Sequence, residues 1–437
     1  MNLELLDPFQ QEEVPDIINS NLEDGGSVIT CAFNRRGDYV AGGCVDGRCL
    51  VWDFETTGII REFDGHEDKV TSISWSRDSN FILSSSKDKN CIVWNTISEQ
   101  QVCKLKFDTP IKFACFHPKK KTLILVCPQK HLPILVDISP LDKGEKEIRT
   151  LVEIDRVEVA AKTDYLACFS RYGEKIYFGS SKGNIYVYDL NKHKSIDSLK
   201  VNAGNSTIKN IHISKKGKDL LVNSSDRQIR VFTIEDNGKI EQQNKFQDPV
   251  NQIQWVQCCF SPNADLVIGA SDTKPYKIYI WDKEDGNLMR ILEGSQNSLV
   301  DLAWHPFRRE IITVPKNDPI DVWVTTYQEN WSAFAPDFQE LEENIEYIER
   351  ENEFDIINES QLNQLKQPKE PEDDDEDEEI DVCNIQRIIY NSDSDSEDEE
   401  IFFIPVKPDV MQNNHESYSP QHSTVPMDTL SELNDSS

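Results

Sequence analysis

The sequence predicts an all-β chain: a ring of seven four-stranded blades, followed by a largely disordered acidic C-terminal tail. Three observations predict it. A motif of polar turn and terminal aromatic recurs through the first three quarters of the chain, its copies alternate apolar and polar residues at the period of a strand, and the charge is divided sharply between body and tail.

The recurrence is clearest in four segments. Residues 39–53 read YVAGGCVDGRCLVWD and residues 81–95 read FILSSSKDKNCIVWN, while 176–189 read IYFGSSKGNIYVYD and 220–232 read LLVNSSDRQIRVF. Each is a β-rich run, a polar turn and a second run ending on an aromatic. Asp46, Asp88, Lys182 and Asp226 each stand six residues before that aromatic, and weaker copies end at Trp281 and Trp323. The aromatics fall at 52, 94, 188, 232, 281 and 323, so the gap from 94 to 188 hides one more copy, which residues 111–137 supply without a terminal aromatic. Seven copies of roughly 42 to 52 residues match the period of a propeller blade of the WD-repeat kind. Alternation such as Ile29, Cys31 and Phe33, or Val70, Ser72 and Ser74, is how a strand buried on one face reads. Gly, Asn, Asp and Ser fill the turns, where positive φ or local side-chain hydrogen bonds are needed.

The best copy pairs Gly65-His66 with Asp88 and Trp94, and predicts a buried chain through the His, the Asp, the Trp and either Ser84 or Ser85. The other copies lack the His, so packing is expected to hold them. One blade cannot bury its own faces and must stack on neighbours, and an unclosed ring would expose strand edges. Residues 2–6 (NLELL) are therefore expected to form an N-terminal strand that completes the seventh blade, giving a propeller over 1–328.

Composition bounds the function. The 437 residues carry 46 Lys+Arg and 78 Asp+Glu, a net of −32. Residues 329–437 hold 32 acids and 5 bases, a net of −27, which leaves −5 for residues 1–328. Such a tail repels phosphate and suits basic partners. No apolar run reaches the ~20 residues that span a bilayer, and the N-terminus lacks the basic and apolar regions of a signal peptide. The eleven cysteines run from Cys31 to Cys383 with no CxxC pair, so they read as reduced core residues. No membrane contact, small-molecule substrate, cofactor or metal is expected.

The catalytic motifs dissolve on inspection. Gly179-Ser-Ser181-Lys-Gly183 fits the nucleophile-elbow pattern, but that geometry needs a helix next, and NIYVYD reads as a strand. His117-Pro118 and His305-Pro306 occupy equivalent turn positions. Lys119–Lys121 read as a solvated hairpin tip. Arg227 and Arg230, with Lys274 and Lys277, are candidates for a basic rim on blades 5 and 6 that touches DNA phosphates weakly.

Beyond 328 the repeat stops. Residues 329–356 (ENWSAFAPDFQELEENIEYIERENEFDI) set Trp331, Phe334, Phe338, Tyr347 and Phe354 among acids, as expected where a partner buries them. Residues 357–437 have the composition of disorder, with apolar islands at Ile380–Ile385 and at 401–405 (IFFIP). Ser392, Ser394 and Ser396 each precede an acid by three residues and are candidates for acid-directed phosphorylation.

The MNLELL start, VWDF at 51–54, WHP at 304–306 and above all ENWSAFAPDF followed by NEFDI resemble the retinoblastoma-binding-protein-five family, the WD-repeat subunit of COMPASS/MLL-type histone H3 lysine-4 methyltransferase complexes. The resemblance implies a nuclear, non-catalytic scaffold and activator. It implies that Trp331, Phe334, Asp337 and Phe338 contact the SET domain, and that Glu346, Tyr347, Glu349, Arg350, Glu351, Glu353, Phe354 and Asp355 bind a SPRY-domain (Ash2-like) subunit. Glu379, Ile380, Asp381, Val382 and Ile385, in a motif near 378–385, would dock on a second WD-repeat propeller, with the nucleosome met weakly or indirectly. Residues 329–437, with 5 Lys+Arg, do not match the Lys-rich C-terminal region expected of animal members. Two competing readings are a generic WD-repeat adaptor and an acidic, histone-chaperone-like protein.

Overall fold

Each repeat folds into one antiparallel four-stranded sheet, and seven such sheets follow one another along the chain. The computed structural model describes residues 14–138, 149–153, 163–325 (apart from 193, 202, 203, 205, 236, 237 and 249) and 404. Blades 1 to 6 span 28–63, 70–106, 111–153, 165–200, 208–246 and 255–293, each with its strands in sequence order. Blade 3 is the copy without a terminal aromatic: its third strand, Ile134–Asp137, buries Leu135 and Val136 instead.

Blade 7 is built differently. Its strands Leu299–Trp304, Ile311–Pro315 and Asp321–Val324 are completed by Ile17–Asn21, which pairs antiparallel with Asp321–Val324. The ring is thus closed by an N-terminal strand, but that strand is not residues 2–6, which lie outside the described residues. An outermost strand needs little apolar alternation because most of it faces solvent, and Ile17 and Ile18 are exposed. The apolar pattern of NLELL therefore points to the wrong segment. Anchorage comes from the next residue: Leu22 is fully buried between blades 7 and 1 with Val28, Trp52, Ile312 and Val322, and its N–H donates to the Ile320 carbonyl (2.9 Å).

The same residue role recurs at the turn after every first strand. Asn34, Ser76, His117, Ser170, Ser214, Ser261 and His305 each accept backbone N–H bonds from residues two to five positions on, as His305 Nδ1 does from Phe307 (3.1 Å) and Arg308 (2.8 Å). The two histidines do more. His117 Nε2 donates to the Gly173 carbonyl of blade 4 (3.2 Å), and His305 packs over Gly37 of blade 1. Both glycines have positive φ, and a Cβ at either would collide with the imidazole. The Asp that follows the aromatic caps a second turn: Asp53 and Asp282 each accept two backbone N–H bonds.

Apolar clusters fill the spaces between successive blades. Asp301 adds a polar join, accepting from Gln257 of blade 6 (2.7 Å) and from the Cys31 N–H of blade 1 (3.0 Å).

Replacing Leu22 by Ala should cost about 2–4 kcal/mol in urea unfolding, because it empties a buried site at the closure. Ile18→Ala, on the exposed edge of the same strand, should stay within about 0.5 kcal/mol.

Candidate interaction surface

Turn aspartates organise the loop before the third strand in blades 1, 2 and 5. In blade 2 the anticipated polar chain is complete, and Ser84 is its serine. The Trp94 indole N–H donates to Ser84 Oγ (2.9 Å), Ser84 lies 2.8 Å from His66 Nε2, and His66 Nδ1 lies 3.0 Å from an Asp88 oxygen. Burial pulls the His66 pKa below its ordinary value, so the ring is neutral, with Nδ1–H donating to Asp88 and Nε2 accepting from Ser84. Ser85 instead joins Ser72 (2.8 Å) and Thr71 (3.0 Å).

Where the His is missing, polar pairs stand beside the packing that holds the blade. In blade 1 the turn Asp46 pairs with Arg48 (2.6 Å), which also reaches Glu62 (2.7 Å). In blade 5 the buried Arg230 pairs with Asp226 and donates to Ser224 (2.7 Å). In blade 7 Ser295 stands where the His would be, and Tyr276 of blade 6 fills the vacancy. Its hydroxyl donates to Asp321 (2.8 Å) and lies 3.0 Å from Thr313 Oγ1, which also accepts the Trp323 indole N–H (3.1 Å). A Cβ on Gly294 would strike the Tyr276 ring, so that ring needs a glycine there. A motif search misses Tyr276 because it comes from the neighbouring blade.

The candidate basic rim is reduced by the same chemistry. Arg230 is buried in its own blade by the Asp226 pair, so it is unavailable to a phosphate. Lys277 is half-buried and lies 3.8 Å from Glu293. Arg227 and Lys274 are exposed in the corresponding turns of blades 5 and 6, with Arg227 also donating to Gln252 (2.6 Å). Lys119, Lys120 and Lys121 are exposed at the predicted hairpin tip.

Among the described residues the candidate nucleophiles are held in turns and cores. Ser181 lies in the hairpin turn between the strands Lys175–Ser180 and Asn184–Asp189, with no helix following. Among the described residues ten cysteines are free thiols, and burial raises the pKa of each, to about 12 for Cys44, Cys49, Cys127, Cys168 and Cys259. No metal-ligating cluster occurs among the described residues, and no helix there is long and apolar enough to cross a membrane. The tail candidates all lie outside the described residues: Trp331, Phe334, Asp337 and Phe338; Glu346 through Asp355; Glu379 through Ile385; and Ser392, Ser394 and Ser396.

The WD domain, G-beta repeat family matches residues 19–53 and 58–95, and the Pep3/Vps18/deep orange beta-propeller domain family matches residues 150–400, starting inside blade 3. The retinoblastoma-binding protein 5 homolog of Drosophila melanogaster is 36% identical over 94% of this chain and 83% of its own length. The COMPASS component SWD1 of Saccharomyces cerevisiae is 30% identical over 83% of this chain and 89% of its own. The chain belongs to the retinoblastoma-binding-protein-five/Swd1 family. Another member, the retinoblastoma-binding-like protein E of Dictyostelium discoideum, is 40% identical over 81% of this chain and 71% of its own. The solved Cps50 (Swd1) β-propeller domain of Myceliophteria thermophila covers 71% of this chain and all of that domain, with a TM-score of 0.65 at 28% identity.

Two tests follow for this family member. Arg230→Ala, which leaves the Asp226 carboxylate without its buried partner, should lower thermal stability in a melting experiment, whereas Arg227→Ala and Lys274→Ala, at exposed turn positions, should leave it nearly unchanged. The second concerns pH. Burial depresses the pKa of His66, His117, His212 and His305, the last to about 4 with help from the Arg308 charge. Below pH ~6.5 the unfolded chain then binds more protons than the folded one, so this contribution is full above that value and declines as pH falls toward 4. Asparagine at position 305, as blade 1 has at Asn34, keeps an acceptor for the turn but does not titrate. His305→Asn should therefore lose less stability than wild type between pH 7.5 and pH 5 in urea unfolding.

Proposed function

We propose that the chain is a non-catalytic scaffold and activator subunit of a nuclear histone H3 lysine-4 methyltransferase complex. The observation that carries this reading is family membership over most of the chain, with relatives named as COMPASS and Set1 complex components, together with the aromatic and acidic segment 329–356 just past the ring. The ring supplies a rigid platform, since its thiols and histidines are engaged in packing and turn capping.

In this reading Trp331, Phe334, Asp337 and Phe338 lie against the SET domain of the methyltransferase. Residues 346–355 bind a SPRY-domain subunit, with Glu346, Glu349, Glu351, Glu353 and Asp355 pairing with its cations and Tyr347 and Phe354 entering apolar pockets. Ile380, Val382 and Ile385 are the apolar contacts with a second propeller. A segment that engages two partners raises the effective concentration of each for the other, and clamping a mobile catalytic domain in its active geometry shifts a population without chemistry from the clamp. The enzyme therefore belongs to a partner, and the nucleosome is met through the assembly and, weakly, through Arg227 and Lys274.

Methyl transfer to histone H3 by the SET domain with its SPRY-domain partner should rise about tenfold or more when the full chain is added, a shift of ~1.4 kcal/mol in the active population. A chain ending at Gln328 should add nothing. Equal stimulation by both chains would sink the tail mechanism. Alanine at Phe354 should weaken SPRY-subunit binding by at least ~30-fold, as loss of a ~2 kcal/mol hot spot does. Histone binding that survives scrambling of 372–400 at constant composition would favour the histone-chaperone reading, because such binding depends on charge and not on residue order.

A further inference from the structure

The tail's second apolar island touches the ring. Ile404 is only 3% exposed, packed into the cluster between blades 1 and 2 with Tyr39, Phe63 and Trp94, against the half-buried Ile60 and Trp75. Its backbone N–H donates to the Tyr39 hydroxyl (3.0 Å) across 365 residues of sequence. The receiving site draws on both blades. The Tyr39 and Trp75 rings stack at 6.5 Å with 28° between their planes, and the Trp75 indole N–H is held by the Ala32 carbonyl of blade 1 (3.0 Å).

We propose that residues 401–405 are a cis-docking motif, seated at the Tyr39–Trp75 site, that ties the tail back to blades 1 and 2. Four observations select this occupant. The site is filled by a residue of this chain, through both a branched apolar side chain and a main-chain bond. Tyr39 is particular to blade 1, since the matching positions at the start of the second strand in blades 2 to 6 are Phe81, Leu123, Lys175, Asp219 and Leu266, none with a hydroxyl. Pro405 restricts Ile404 to extended backbone before docking, which lowers the entropy lost on binding. The acidic run 392–400 immediately precedes the motif, and the turns beside the site carry Arg35, Arg36 and Arg77, so the charges are complementary.

Docking of Ile404 would tether a stretch of about 80 residues at both of its ends, Thr325 and Ile404. Loop-closure entropy grows only logarithmically with length, so so long a loop is tolerated. The docking stands by itself; its consequence, that all three partner-binding segments sit on a tethered loop and not a free tail, rests on the function proposed above.

The test is hydrogen–deuterium exchange on the full chain without partners, so its outcome is independent of methyltransferase activation. The Ile404 amide in wild type should exchange about tenfold or more slowly than in Tyr39→Phe, which keeps the ring and removes the acceptor, in line with loss of one hydrogen bond. The Ile404→Asp variant should abolish protection over 401–405 while the melting temperature of the ring stays unchanged. Exchange over 401–405 as fast in wild type as in Ile404→Asp overturns the proposal. So does protection that appears only at concentrations where sedimentation shows a dimer, because the occupant would then come from a second copy.

Discussion

Four strands cannot bury both of their faces, so every blade borrows a surface from the next, and the seventh can do so only once Ile17–Asn21 has paired with Asp321–Val324. That pairing joins residues some 300 positions apart in sequence and gives blade 7 its fourth strand. Leu22 places the join in the core rather than at the rim, and the Asp301 carboxylate, held by Gln257 and the Cys31 amide, ties blades 6, 7 and 1 together beneath it. Long-range closure of this kind makes the ring a single cooperative unit whose surface loops are held by common walls.

Within that frame one problem is solved several ways. The turn that enters the third strand of a blade needs its polar groups satisfied, and blade 2 does this with His66, Ser84 and Asp88. Blade 1 uses Arg48, blade 5 uses Arg230, and blade 7 takes the Tyr276 hydroxyl from its neighbour. In blades 2, 5 and 7 the carboxylate is buried or nearly so, and leaving it unpaired is costly whichever residue supplies the donor, whereas the Asp46 pair of blade 1 is solvent-exposed. The same economy removes Arg230 from the surface and leaves Arg227 and Lys274 as the exposed cations of that rim.

The turn histidines are neutral caps, and the thiols lie in cores that favour their protonated form. Ile404 shows how an apolar residue far along the chain can find a groove between blades.

Much of this was legible in the residues. The seven repeats, the turn positions and the His66–Asp88–Trp94 chain follow from local spacing, because strand period and turn chemistry are local properties. The family followed from the 329–356 segment, which no blade requires. Three things needed the tertiary structure. The closing strand was misplaced at 2–6 because an outermost strand, solvated along most of its length, carries no apolar signature; only its partner identifies Ile17–Asn21. Tyr276 and Arg230 gained their roles from groups across a turn or a blade boundary, which spacing does not encode. Ile404 was visible as an island in an acidic tail, but its seat against Tyr39 depends on two side chains that come together only when blades 1 and 2 pack. The sequence by itself thus determined the repeat and its count, since those rest on neighbours in the chain. The fold alone decided which strand closes the ring, which charges stay exposed and where the tail returns, since each rests on contacts between residues distant in sequence.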